Sequence, residues 1–187
     1  SDPKLEVMLI ILSVVTAAAA LQAAGGMDYL VSIAAKILRS NPGRITFLGP
    51  LVTYLFVLFA GTAHISYSIM PIVAEVATKA RIRPERAMSM SVTASHMAIT
   101  ASPVSAATAA LLTVLGGSGI QLADILMICI PSTLIGVIAG ILFVLKKWKE
   151  LDKDPEFLEK MKDPSFAKSM SIEKEDSIAP LKPGAKI

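Results

Sequence analysis

Between Arg86 and Asp124 the chain carries no Asp, Glu, Lys or Arg, and most of that run is apolar. Few soluble folds bury so long an uncharged stretch, whereas a bilayer core about 30 Å thick is crossed by about 20 such residues in a helix. The run is nonetheless interrupted. Its middle reads AITASPVSAA, Ala98 to Ala107, which sets Pro103 among Thr100, Ser102 and Ser105. Proline lacks a backbone donor and frees the carbonyl one turn earlier. Irregular backbone at membrane depth is tolerated only where it is buried in protein or lines a wet cavity. Hydroxyls gathered at such a gap therefore point to a polar site inside the membrane.

The charges are unevenly spread. Residues 1–145 hold 14 of the 33 Asp, Glu, Lys and Arg, and the last 42 residues hold the other 19. This step divides a lipid-soluble part, 1–145, from a charged part, 146–187, which reads as a cytoplasmic loop or tail. Nucleic acid is excluded as a partner, because the basic clusters flank apolar spans and lack aromatic interleaving. Cys129 is the only cysteine and sits in an apolar stretch, so neither a disulfide nor a metal site is expected. The chain opens SDPK, and Val7–Ala24 followed by small residues imitates a signal peptide. Acidic Asp2 and Glu6 beside Lys4, and the spans that follow, favour a piece of a longer membrane protein.

The expected fold is all-α and polytopic. A span over 7–24 ends at Gly25-Gly26, and 27–40 reads as an amphipathic interfacial helix with Leu30, Ile33, Ala34 and Ile37 on one face. Two arms, 45–60 and 65–80, are joined by Gly61-Thr62-Ala63-His64; then come a broken span over 88–115 and a full span over 123–145. Basic residues cluster at Lys36, Arg39 and Arg44, at Lys79, Arg81, Arg83 and Arg86, and at Lys146, Lys147 and Lys149, while the 116–122 turn has none. The positive-inside rule puts all three clusters in the cytoplasm and that turn outside. The pair of arms over 45–80 then starts and ends on one side, as a re-entrant hairpin. Its tip and the break near 101–105 come to similar depth, where half-helix N-termini attract an anion and unwound carbonyls suit a cation.

The candidate binding residues follow from this placement. At the tip, Gly61 and Thr62 offer a backbone donor and a hydroxyl, and His64 and Ser66 add polar heads; Thr62 and Ser66 equally suit capping of the second arm. At the break, Thr100, Ser102 and Ser105 surround Pro103, although serines in membrane helices often bond only the carbonyl one turn back. His96, upstream of the break, faces the cavity or bridges helices, and is a candidate proton or substrate contact. Pro131-Ser132-Thr133 reads as a kink whose freed backbone the hydroxyls satisfy. Glu75 and Lys79, four apart, suit a surface pair. No catalytic residue, metal ligand or cofactor is expected, beyond a coupling cation, H+ or Na+.

Several stretches also resemble a known family. LQAAGGMDYLVSIAAKILRSNPGRITFLGPLVTY, FAGTAHISYSIMPIVAEVA, RIRPERAMSMSVTASHMAITASPVSAA, IPSTLIGVIAG and LDKDPEF are similar to the anaerobic four-carbon dicarboxylate transporters, and closer to the B branch of that family than to its A branch. The resemblance covers nearly the whole chain in order. It implies a multi-pass secondary transporter of the bacterial inner membrane, exchanging fumarate, succinate, malate and aspartate in anaerobic fumarate respiration. It also implies one of two inverted repeats of an ion-transporter superfamily fold, each with a re-entrant hairpin and a broken helix. On the matching motif, Gly61, Thr62, His64, Ser102, Pro103 and Ser105 take the substrate-site positions. Ala63 stands where the family commonly has glycine, and His96 where glutamine is common. Family members are more than twice as long, so a second repeat is the expected partner, with lipid, a homo-oligomer or a membrane sensor kinase as others.

Three other readings use the same residues. Another organic-anion or ion antiporter would share the scaffold. A non-transporting co-sensor would bind a membrane partner without flux. An intramembrane hydrolase would pair Ser102 or Ser105 with His64 or His96, but no nucleophile-elbow pattern surrounds either serine.

Overall fold

A computed structural model of the chain describes residues 3–115, 118–147, 155–160 and 162–163. Within them lie the helices α1 (Pro3–Ala23), α2 (Gly26–Ser40), α3 (Ile45–Ala60), α4 (His64–Lys79), α5 (Pro84–Ala101), α6 (Ala106–Leu115), α7 (Leu122–Lys147) and α8 (Pro155–Lys160), with a 3-10 turn over Pro42–Arg44. No strand occurs among the described residues. The Gly116-Gly117 part of the expected external turn, and most of the expected charged tail, lie outside them.

The bundle is built around α5, which packs against α3, α4 and α7. Small residues set the helix directions. A Cβ on Gly49 of α3 would meet Ser91 Oγ of α5 at 3.0 Å and the Val73 side chain of α4 at 3.4 Å. Cβ atoms on Gly136 and Gly140 of α7 would meet Met97 and Met90 of α5. With the loops between them, these contacts make α5 parallel to α3, and make α4 and α7 antiparallel to both. One cavity confirms the arrangement, since Gly43, Arg44, Ile82, Arg86 and Leu145 all line it. The start of α3, the end of α4, the start of α5 and the end of α7 therefore gather at one end. Higher up, Tyr54 Oη reaches Thr133 Oγ1 at 2.8 Å and fastens α3 to α7.

The apolar core carries a set of buried hydroxyls, and the outer surface is apolar as well. Thr53, Ser91, Ser95, Ser102 and Ser105 are fully buried, while Phe59, Met127, Ile128, Ile135 and Phe143 are mostly exposed. Water would penalise that surface and lipid would not. Pro42–Ala60, Pro84–Leu115 and Leu122–Leu145 are each long and apolar enough to cross a bilayer. The chain is an all-α membrane protein. Counting the 3-10 turn makes the first of these segments long enough to span, which the arm 45–60 alone did not suggest.

The face of α2 differs from the expected one. Ala34, Ala35 and Leu38 are buried with Leu30 and Val31 against them, whereas Ile37 is 38% exposed. The sequence offers two overlapping apolar stripes on this helix, and the partner chooses between them. Here α2 packs against α4 and α3, and Arg39 donates to Glu75 Oε2 at 3.0 Å, which turns the Leu38 stripe inward. The expected pair, Lys79 to Glu75 Oε1 at 2.8 Å, is present beside it. After α4, Arg81 adopts φ 57°, Ile82 N–H bonds the Ala77 carbonyl and Arg81 N–H bonds that of Thr78. This left-handed closure ends the helix and sends the chain back up at Pro84.

Candidate functional site

Two gaps interrupt the helical ladder near the expected hairpin tip and break. The first separates α3 from α4 at 61–63, and the second separates α5 from α6 at 102–105. At the first, the N–H of Gly61 closes α3 on the Val57 carbonyl, and Gly61 itself takes φ 70°. This is a left-handed cap that glycine adopts at little cost. At the second, Ser102 is extended and Pro103 follows it, so the α5 ladder stops.

The two gaps touch. A Cβ on Gly61 would lie 2.7 Å from the Val104 carbonyl oxygen and 2.9 Å from Val104 Cγ2. The absence of a side chain at 61 is what lets the tip seat on the break. Ser102 Oγ donates to the Leu58 carbonyl at 2.6 Å, across from α5 to α3. That carbonyl belongs to the last turn of α3, whose carbonyls have no intrahelical partner. The same hydroxyl accepts the Val104 N–H at 3.3 Å. One serine side chain thus ties both gaps together.

The remaining hydroxyls divide into two kinds. Ser105 caps α6: its Oγ accepts the Thr108 N–H at 3.1 Å and donates to Thr108 Oγ1 at 2.9 Å, with both residues buried. Thr108 was not anticipated, although Ser followed three residues later by Thr is a legible capping spacing. Ser66 is buried and donates to the Ala63 carbonyl at 2.6 Å, so it closes the first turn of α4 rather than capping it. Thr62 Oγ1 accepts the His64 N–H at 3.3 Å. Thr100 is exposed and bonds back to the Met97 carbonyl at 2.7 Å. His96 is likewise exposed, with Nδ1 2.9 Å from the Val92 carbonyl and 3.3 Å from Ser95 Oγ.

The structure therefore brings Gly61, Thr62, Ser102, Pro103 and Ser105 to one junction and leaves Thr100 and His96 on an outer face. His64 is exposed beside the tip, its ring 6.1 Å from that of Tyr67. Four helix ends converge here. The N-termini of α4 and α6 bring backbone donors and the positive ends of their dipoles, and the C-termini of α3 and α5 bring carbonyls. The arrangement suits a small anion at the two N-termini and a cation at the two C-termini. No group of three His, Cys, Asp or Glu that would hold a metal ion occurs among the described residues.

The third interruption is a continuous helix. α7 runs through Pro131, and the hydroxyls of Ser132 and Thr133 bond the carbonyls of Ile128 and Cys129. The carbonyl that proline releases is that of Met127, so these hydroxyls act one and two residues further along than expected.

Comparison with known proteins points one way. The profile of a family described as anaerobic C4-dicarboxylate membrane transporters matches residues 1–187. The chain is 46% identical over 160 residues to the anaerobic C4-dicarboxylate transporter DcuB of Escherichia coli O6:H1, covering 83% of this chain and 36% of that one. It is 43% identical over 183 residues to the C4-dicarboxylate transporter DcuA of Wolinella succinogenes, covering 98% and 41%. With DcuA of Escherichia coli K12 it shares 41% over 159 residues, covering 84% and 37%. The chain thus spans well under half the length of these relatives. No solved structure matches it.

Proposed function

The chain belongs to the anaerobic C4-dicarboxylate membrane transporter family, and from that premise we propose that it supplies one half of a four-carbon dicarboxylate exchanger of the bacterial inner membrane. The observation that carries the reading is the seating of the hairpin tip on the helix break. Gly61 against Val104 and Ser102 on Leu58 hold two irregular segments together among helices of apolar exterior. At 1.5 Å per residue, the level of α7 that Tyr54 touches lies about 14 Å from Leu122 and about 20 Å from Leu145. Gly61 lies seven residues, about 10 Å, further along α3, so the junction sits on the outer side of that level but still within the hydrocarbon, where such backbone implies a polar pocket.

In this reading 45–80 is a re-entrant hairpin, its basic ends cytoplasmic, and 84–115 crosses outward. One substrate carboxylate meets the N-termini of α4 and α6 and the hydroxyl of Thr62. The other needs donors from a second repeat, because this half has no basic side chain at that depth. Fumarate, succinate, malate and aspartate fit this separation of charge. A coupling H+ or Na+ has the carbonyl ends of α3 and α5, and His64 is the titratable group beside them.

Vesicles test the reading. The chain joined to the complementary repeat of a relative is expected to exchange external labelled succinate for internal fumarate, and the chain alone is expected to stay at background. Exchange by the chain alone, or by neither preparation, contradicts the proposal. Exchange of citrate or sodium in place of fumarate identifies a different antiporter on the same scaffold.

A further inference from the structure

A concave site lies at the end of α3 away from the junction, about 24 Å along that 16-residue helix. It is a cavity of about 570 Å³ whose wall combines Arg44 and Arg86 with Phe47, Leu48, Ile82 and Leu145. Arg44 is exposed at the rim and Arg86 is buried, at 3% exposure. Lys79 ends α4 and Arg81 and Arg83 lie in the adjoining loop, with Glu75, paired to Lys79 and Arg39, and Glu85 the acids nearby. The basic clusters put this end at the cytoplasmic interface, where headgroups begin.

The wall decides what suits it. A four-carbon diacid would meet the charge of the two arginines but leave four apolar side chains facing a dianion, at a desolvation cost with no return. It would also fill little of the volume. Water alone gains nothing on the apolar side. An amphiphile with an anionic head fits both halves of the wall, and basic pockets between membrane helices on the cytoplasmic side bind such headgroups.

We propose that this cavity holds an anionic phospholipid, its phosphate between Arg44 and Arg86 and its glycerol and upper acyl carbons against Phe47, Leu48, Ile82 and Leu145. The site collects the start of α3, the loop after α4, the start of α5 and the end of α7. A bound lipid therefore fastens the open end of the hairpin to the two helices beside it. The inference rests on the membrane orientation given above and makes no use of the tip and break.

The purified chain in neutral detergent, titrated with phosphatidylglycerol or phosphatidylcholine and read by native mass spectrometry, tests it. Phosphatidylglycerol is expected to remain bound where phosphatidylcholine does not. Arg44→Gln, at an exposed position that leaves the fold intact, should weaken phosphatidylglycerol about fivefold, while Arg44→Lys keeps most of the binding. Equal retention of both lipids overturns the proposal, as does an unchanged Arg44→Gln variant. Displacement of the lipid by inorganic phosphate or succinate also overturns it, making the cavity a simple anion vestibule. Loss of dicarboxylate exchange with lipid selectivity intact would strike the transport reading alone, and the converse would strike this one alone.

Discussion

Replacing Gly61 with alanine is expected to unseat the hairpin tip from the helix break. The residue holds φ 70°, and the added Cβ would meet the Val104 carbonyl oxygen at 2.7 Å and its carbon at 2.8 Å. Both obstacles are backbone, so no side chain can swing aside. The left-handed conformation costs a non-glycine residue roughly 1–2 kcal/mol, and the forced displacement adds a comparable amount, about 3 kcal/mol in all. Unfolding of the purified chain in detergent should show that loss, and in the full exchanger transport should fall to background. A variant with wild-type stability and exchange would mean that the tip does not rest on the break.

Two hydroxyls only two residues apart should behave in opposite ways. Ser102→Ala removes the 2.6 Å bond to the Leu58 carbonyl and the acceptor of the Val104 N–H, leaving one buried and one part-buried backbone group without it. That is worth about 2 kcal/mol. Thr100→Ala removes a bond from an exposed side chain to its own helix, and should cost less than about 0.5 kcal/mol. Substrate protection of stability should weaken in the first variant and persist in the second. Equal effects would show that hydroxyl content near Pro103, and not the tie across the gap, is what matters.

These two residues also show what the sequence could and could not reveal. The gaps themselves were legible, because glycine after a helical run and proline within one are local backbone facts. The return of the chain between Arg44 and Arg81 was legible from loop charge, and the structure gathers the start of α3 and the loop after α4 at one end. Which hydroxyl faces inward was not legible. Thr100, Ser102 and Ser105 look alike along the chain, and only the seat of α3 against α5 selects Ser102 and turns Thr100 outward. The same limit explains Leu38 over Ile37 on α2, where both stripes are apolar and the position of α4 decides. The key backbone partners, the carbonyl of Leu58 and the N–H of Val104, belong to residues whose side chains advertise nothing. Tyr54 with Thr133 went unnoticed for a related reason: each reads as an ordinary helix residue until the other is placed beside it.

Ser91 carries a different lesson. Its hydroxyl is fully buried, close to Gly49, with no hydrogen-bond partner among the described residues. A buried hydroxyl usually finds an acceptor. Here glycine allows α3 and α5 so close that Ser91 serves as a small spacer, and its polarity goes unused.

The hairpin's return is tested most directly by single cysteines at 44, 81 and 118 in a chain whose Cys129 has been changed to serine, labelled with a membrane-impermeant maleimide from each side. The account predicts that 44 and 81 react from the same face and 118 from the opposite one. Reaction of 44 and 81 from opposite faces would mean that 45–80 crosses the membrane, and would contradict the proposed pocket at Gly61 and Ser102.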